Sequence, residues 1–328
     1  MYGVAEWYIH KHDKQPLQLG TTFIADYAEY LGLEPKQTLN AILSDLNMKN
    51  VRLVSYWSDI EQSQGTYDFS GLDWQFAMAA KYGAKVSLTI GLRQPRWPEC
   101  HMPTWADNEP TSVWEPQLYA FMKAVINHYK NNPVLVSYQL ENEFFMKIFG
   151  DCTNFDRSRL TEEYNMVKQL DPSRPVIVAR SDNWVGIPVR GPTPDEFAIS
   201  VYKRVWDYHF TKRYVEYPFP PWYYSFLAGA EEMISGKDMV IHEMQAEPWL
   251  PPGMTISKDT LAEQYKTMNA SILQKRIKYS EDTGMREIYL WGAEWWYWLK
   301  TTQNDPSVWN VAKQAVADAA AQNQKLAK

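Results

Sequence analysis

An eightfold alternation of short β-type runs with amphipathic stretches is the feature that most constrains the fold. The runs are PLQLGTTF, NVRLVSYW, KVSLTIGL, VLVSYQLENE, PVIVAR, FAISVY, DMVIHEM and EIYLWG. Between them, Leu39, Ile42, Leu43 and Leu46 follow the i, i+3, i+4, i+7 spacing of a helix face. Leu118, Phe121, Met122 and Val125 form a similar stripe before the fourth run. LDWQFAMAAKYG reads as a helix, and Leu261, Tyr265, Met268 and Ile272 mark one long helix after the seventh run. An alanine-rich helix from about Ser307 to Gln322 closes the chain. Strand–helix units repeated in this way over 328 residues predict an α/β fold, a single (β/α)8 TIM barrel occupying residues 1–328. A doubly wound sheet is the alternative, but no GxGxxG or GxxxxGK[ST] loop follows any run to support it.

In such a barrel the C-terminal strand ends share one face, and the loops after them build the site. The segments RQPRWPECHMPTWADNEP and KRVWDYHFTKRYVEYPFPPWYYSF are long and aromatic, as walls of a cleft would be. Aromatic residues make up 15% of the chain, with 15 Trp and 21 Tyr, which favours a ligand that stacks on flat rings. The net charge of -6 and pI near 5.6 argue against nucleic acid as a partner.

The fourth run ends in the carboxylates Glu141 and Glu143, which flank Asn142, and the seventh ends in Glu243. Glu143 and Glu243 are expected to face one barrel mouth. Two facing carboxylates suit cleavage of a glycosidic bond, one as nucleophile and the other holding a proton for the leaving oxygen. A nearby like charge helps that second group keep its proton.

This arrangement resembles the large clan of retaining glycoside hydrolases with (β/α)8 barrels, which includes the cellulase-like family 5, family 39 and the family 42 β-galactosidases. The resemblance rests on the Asn142–Glu143 pair ending the fourth strand, on Glu243 ending the seventh, and on IEQSQGTYDFSGLD after the second. It implies that Glu143 is the acid/base, Glu243 the nucleophile, and Asn142 a ligand of the sugar 2-hydroxyl. Arg52 matches the strand-two Arg that steadies the nucleophile, Tyr202 a residue beside it, and Trp291 the floor of the subsite at the scissile bond. Trp57, Trp97 and Trp249 are further candidate stacking platforms, and Glu141, His242, Glu247 and Glu294 candidate supports behind the site. Trp295, beside Glu294, is expected along the cleft. Phe144 stands where cellulase-like members carry Pro after the acid/base, and no His lies between Ser87 and Gly91; His101 is a substitute from the next loop.

Each position also has a structural reading: a buried ion-pair partner for Glu143 or Arg52, core filler for any Trp. Glu247 competes with Glu243 for the nucleophile's role. HEMQA at 242–246 has Ala246 where a zinc-protease HExxH needs its second His. Glu141, Glu143, His242 and Glu243 are the set a metal-dependent sugar isomerase would use. The hydrolase reading requires no cofactor and no metal, and it takes an oligo- or polysaccharide as substrate. A non-catalytic carbohydrate-binding barrel is the alternative from another class.

Cys100 and Cys152 fall in loops after adjacent strands, so a disulfide is expected, the alternative being two separate thiols. The first residues, MYGVAEWYIHKHDK, lack the order of a signal peptide. A disulfide would nevertheless favour an extracytosolic location with the leader absent from this sequence. The segment YPFPPWYYSF reads as an exposed apolar patch open to a membrane surface or a partner, although no run approaches a membrane span.

Overall fold

The computed structural model describes residues 1–147, 149–152, 154–179, 191–208 and 210–328. All eight runs form strands: β1 (Gln18–Phe23), β2 (Asn50–Leu53), β3 (Lys85–Ile90), β4 (Leu135–Leu140), β5 (Val176–Ala179), β6 (Glu196–Val201), β7 (Met239–Gln245) and β8 (Glu287–Trp291). They close into one barrel in which each strand neighbours the next in sequence and β8 returns to β1. The pairing is parallel, from Ser87↔Ser137 to Ile90↔Leu140 between β3 and β4, and from Gln18↔Glu287 to Thr21↔Leu290 between β1 and β8. All seven residues of β7 are buried, which is why the strands read as continuous apolar runs rather than as alternating ones. Arg180, at the end of the fifth predicted run, lies outside the described residues.

The contacts cluster into two compact units, Arg52–Ala198 and Met1–Val51 with Ile199–Lys328. In the first, Leu118, Phe121, Met122 and Val125 of the helix Thr111–Tyr129 are all buried, as their spacing predicts. In the second, the helix Tyr2–His12, which the sequence pattern does not announce, packs on the helix Pro221–Ser235. The two approach so closely at Gly229 that a Cβ there would sit 3.0 Å from both Tyr8 Cβ and the Val4 carbonyl oxygen. A polar staple holds the same contact: Tyr8 donates to Asp238 at 2.6 Å, while Lys11 and His12 reach Glu232 at 2.6 and 2.9 Å.

Three expectations are corrected. The long helix after β7 is two helices, Leu261–Gln264 and Ala270–Glu281, because Asn269 is extended and caps the second through the Ile272 amide. YPFPPWYYSF is not an open apolar patch: it enters the helix Pro221–Ser235, where Tyr224 is fully buried and Tyr223 stacks on Phe219. The residues before it form a two-stranded antiparallel ribbon, Arg204–Trp206 with Tyr214–Glu216. The segment after β8 coils into the helix Ala293–Thr302 rather than lining a cleft. Among the described residues no helix is long and apolar enough to cross a membrane.

The contact at Gly229 gives a stability prediction. Gly229→Leu forces a branched side chain against Tyr8 and the Val4 carbonyl and should cost about 1–3 kcal/mol, read as a lowered urea midpoint.

Candidate active site

In the unit Arg52–Ala198, β4 stops at Leu140 and the chain turns through Glu141, Asn142 and Glu143. Glu141 and Glu143 have φ of 52° and 42°, a left-handed conformation that side chains adopt at a cost of order 1–3 kcal/mol. Glu141 holds this turn. Its carboxylate accepts from the Leu92 and Arg93 amides at 2.8 and 2.9 Å, and from Arg159 Nη1 at 2.7 Å. Arg159 also donates to Glu163 at 2.5 Å, and all three side chains are buried. Burial pushes the Glu163 carboxyl well above the usual range, against the pull of Arg159. Gly91, at φ 108°, makes room: a Cβ there would lie 2.6 Å from Glu141 Oε1.

A buried chain of hydrogen bonds runs behind the turn. Arg52 Nη1 donates to Gln139 Oε1 at 2.9 Å, Gln139 Nε2 to Asn142 Oδ1 at 2.9 Å, and Asn142 Nδ2 to Glu99 Oε2 at 3.0 Å. Gln94 ties the loop after β3 to β2, accepting from the Ser55 amide at 2.8 Å and donating to the Ser55 carbonyl at 2.5 Å. The expected disulfide is present, Cys100–Cys152 with Cα atoms 5.4 Å apart. Around it the two loops are knitted further, by Arg93 Nη2 on the Phe149 carbonyl at 2.9 Å and by the Asp151 amide on the Pro98 carbonyl at 2.8 Å.

The tryptophans separate here. Trp97 is 63% exposed and meets Phe149 edge-to-face. Trp57 is fully buried; its indole donates to Glu61 at 2.6 Å and its ring packs on Trp105 and Phe121. It is core, not a platform. His101 stacks on Tyr56 at 3.5 Å and its Nε2–H donates to the Arg96 carbonyl at 3.1 Å, which makes it part of the loop's framework.

In the other unit, Glu243 lies near the end of β7, buried, and accepts from the Tyr202 hydroxyl at 2.9 Å. Tyr202 meets the half-buried Trp249 edge-on at 5.3 Å. Gln245 fixes the chain after β6 to β7, accepting from the Lys203 and Arg204 amides at 3.0 and 2.9 Å. Glu247, the competitor, instead accepts from the Trp291 indole at 2.7 Å, and Trp291 keeps only 6% of its surface. His242 is buried against the edge of Tyr289. Glu294 does not line a cleft: it is buried and accepts from the Ile24 amide at 2.6 Å. Trp295 is likewise core, with its indole on Gln264 at 2.7 Å.

Sequence reasoning missed Gln139, Glu99, Gln94, Gln245, Arg159 and Glu163. Arg159 and Glu163 carry a readable i, i+4 spacing, whereas Arg52 on Gln139, Ser55 on Gln94, Lys203 on Gln245 and Asn142 on Glu99 are distant in sequence.

No protein-family model matches the sequence. A stretch of 116 residues is 29% identical to the β-galactosidase BbgII of Bifidobacterium bifidum, covering 30% of this chain and 17% of that protein. The fold is similar to that of an exo-β-1,4-mannosidase from Opitutaceae bacterium strain TAV5, with TM-score 0.63 and 14% identity over 94% of this chain. The chain spans 60% of that mannosidase chain's length. Xylanase 10B of Thermotoga maritima superposes with TM-score 0.58 and 14% identity, over 96% of this chain and 98% of that one. At these identities the likeness is one of fold.

Two predictions follow from the buried groups. Glu141→Ala leaves two amides unpaired and removes one of the two carboxylates on Arg159, and should cost about 3–5 kcal/mol, whereas Glu163→Gln keeps an acceptor oxygen for Arg159 in place of a carboxyl whose ionisation burial opposes and should stay within about 1 kcal/mol; urea titrations of both variants compare them. Burial also lowers the His101 pKa from 6.5 to about 4. Between these values the unfolded chain binds a proton that the folded chain refuses, so stability is complete above pH 6.5 and declines, by on the order of 3 kcal/mol, as pH falls to about 4. His101→Phe should flatten that part of the acid slope, measured by urea titration at neutral pH and near the lower value.

Proposed function

We propose that the chain is a retaining glycoside hydrolase acting on a β-linked glycan or glycoside. The observation that carries the reading is the hydroxyl of Tyr202 on the Glu243 carboxylate at 2.9 Å, at the end of a barrel strand. That hydrogen bond fixes the orientation of the carboxylate that attacks the sugar. Glu143, following Asn142 at the end of β4, supplies the acid/base, since the C-terminal strand ends of a closed parallel barrel open on one face. Fold relatives named as a mannosidase and a xylanase, and the short sequence match to a galactosidase, support the same class.

In this mechanism a Glu243 oxygen attacks the anomeric carbon as the bond to the leaving oxygen breaks, and Glu143 delivers its proton to that oxygen. Water then attacks the glycosyl-enzyme, Glu143 takes the water's proton, and the Glu243 carboxylate is released with the anomeric configuration retained. Asn142 binds the 2-hydroxyl, Arg52 steadies the strand-end charge, Trp97 and Trp249 offer ring surface to sugars, and Trp291, with 6% of its surface exposed, is the floor beneath them. The partner is thus an oligo- or polysaccharide. The disulfide supports an extracytosolic setting, where such bonds persist.

The test is hydrolysis across β-glucans, mannans, xylans, galactans and aryl β-glycosides by wild type, Glu143→Gln and Glu243→Gln. Both variants should lose activity by at least about 10²–10⁴-fold, and a 2-deoxy-2-fluoro glycoside should label Glu243 in the intact protein by mass spectrometry. Activity that survives either substitution, or a label on Glu247, would overturn the assignment.

A further inference from the structure

We propose that Glu99 is a positioning residue that sets the orientation of the Asn142 amide towards the sugar; this rests on the hydrolase reading above. The argument is one of hydrogen-bond polarity. An amide side chain presents a donor and an acceptor of nearly equal size, so packing alone does not decide which faces which neighbour. In the chain Arg52–Gln139–Asn142–Glu99, both ends are of one kind only. Arg52 only donates, which forces Gln139 to present its oxygen to it and its Nε2 to Asn142. Glu99, as a carboxylate, only accepts, which draws Asn142 Nδ2 to it. The two constraints agree at Asn142, whose Oδ1 is committed to Gln139 and one N–H to Glu99. The second N–H of Asn142 is left to meet a hydroxyl of the substrate.

Glu99 is itself held firmly. It is buried, it has φ 73°, its amide donates to the Arg96 carbonyl at 2.8 Å and its carbonyl accepts from the Gln94 amide at 2.8 Å. Arg93 Nε lies 3.7 Å from the same carboxylate oxygen, and the next residue is the disulfide-bonded Cys100. Turning the Asn142 amide over would set its oxygen against a carboxylate and its nitrogen against another N–H, both repulsive. The acceptor at Glu99 therefore acts together with Gln139 to keep an N–H, rather than an oxygen, towards the sugar.

The experiment uses the aryl β-glycoside, mono- or disaccharide, that wild type turns over fastest, and its counterpart lacking the 2-hydroxyl on the ring beside the aglycone. Glu99→Ala should lower kcat/KM on the 2-hydroxy substrate by about 10–100-fold and on the 2-deoxy substrate by less than about threefold. Glu99→Gln, which keeps an acceptor oxygen, should stay within about threefold of wild type on both. If Glu99→Ala does not fold, Glu99→Met, similar in length and lacking that oxygen, carries the test and should show the same selective loss. Equal losses on the two substrates would mean a merely structural role and overturn the proposal. Asn142→Ala is measured in parallel: a 2-hydroxyl-dependent loss there but not in the Glu99 variants removes Glu99 and leaves the hydrolase reading standing. A wild type that turns over no β-glycoside removes the hydrolase reading and this proposal together.

Discussion

The carboxylate of Glu141 is the constraint on which the end of β4 depends. Two backbone amides from the neighbouring strand's loop and one guanidinium converge on it, and it is buried. Those three bonds offset the cost of two left-handed residues, one on either side of Asn142. Once Glu141 is fixed, Asn142 and Glu143 have no freedom left in the backbone that carries them. A residue given no part in the proposed chemistry thereby fixes the turn that carries its candidate acid/base.

Amides carry much of the rest. Gln94 binds the loop after β3 to β2, Gln139 joins Arg52 to Asn142, and Gln245 binds the chain after β6 to β7. Each can donate and accept at once, so Gln94 and Gln245 each satisfy both polar groups of an irregular backbone segment where the regular ladder stops, and Gln139 relays between two side chains. The aromatic wealth of the chain divides by the same logic. Trp57, Trp295 and Trp296 are core and give their indole N–H to a partner within it, while Trp97 is mostly exposed.

The eight strands were legible because a barrel strand is buried on both faces and leaves a largely apolar run, as in IYLW or VIVA. The carboxylates at the ends of β4 and β7 were legible because a charge that ends such a run is costly without a purpose. Trp57 was misread because the sequence shows an indole near a strand end but not the direction of its ring. The break at Asn269 was hidden by an apolar spacing that continued across it, and only the cap exposes it. Glu99 was invisible for a different reason: it lies in an irregular loop, and its partner is 43 residues away.

The space above Gly91 belongs to Glu141, and this ties two distant positions into one heritable unit. A side chain at 91 would evict the carboxylate, and a shorter residue at 141 would leave the Leu92 and Arg93 amides without acceptors. Neither change is tolerable ahead of the other. Drift among descendants of this chain is therefore barred at both positions together, although neither touches a substrate.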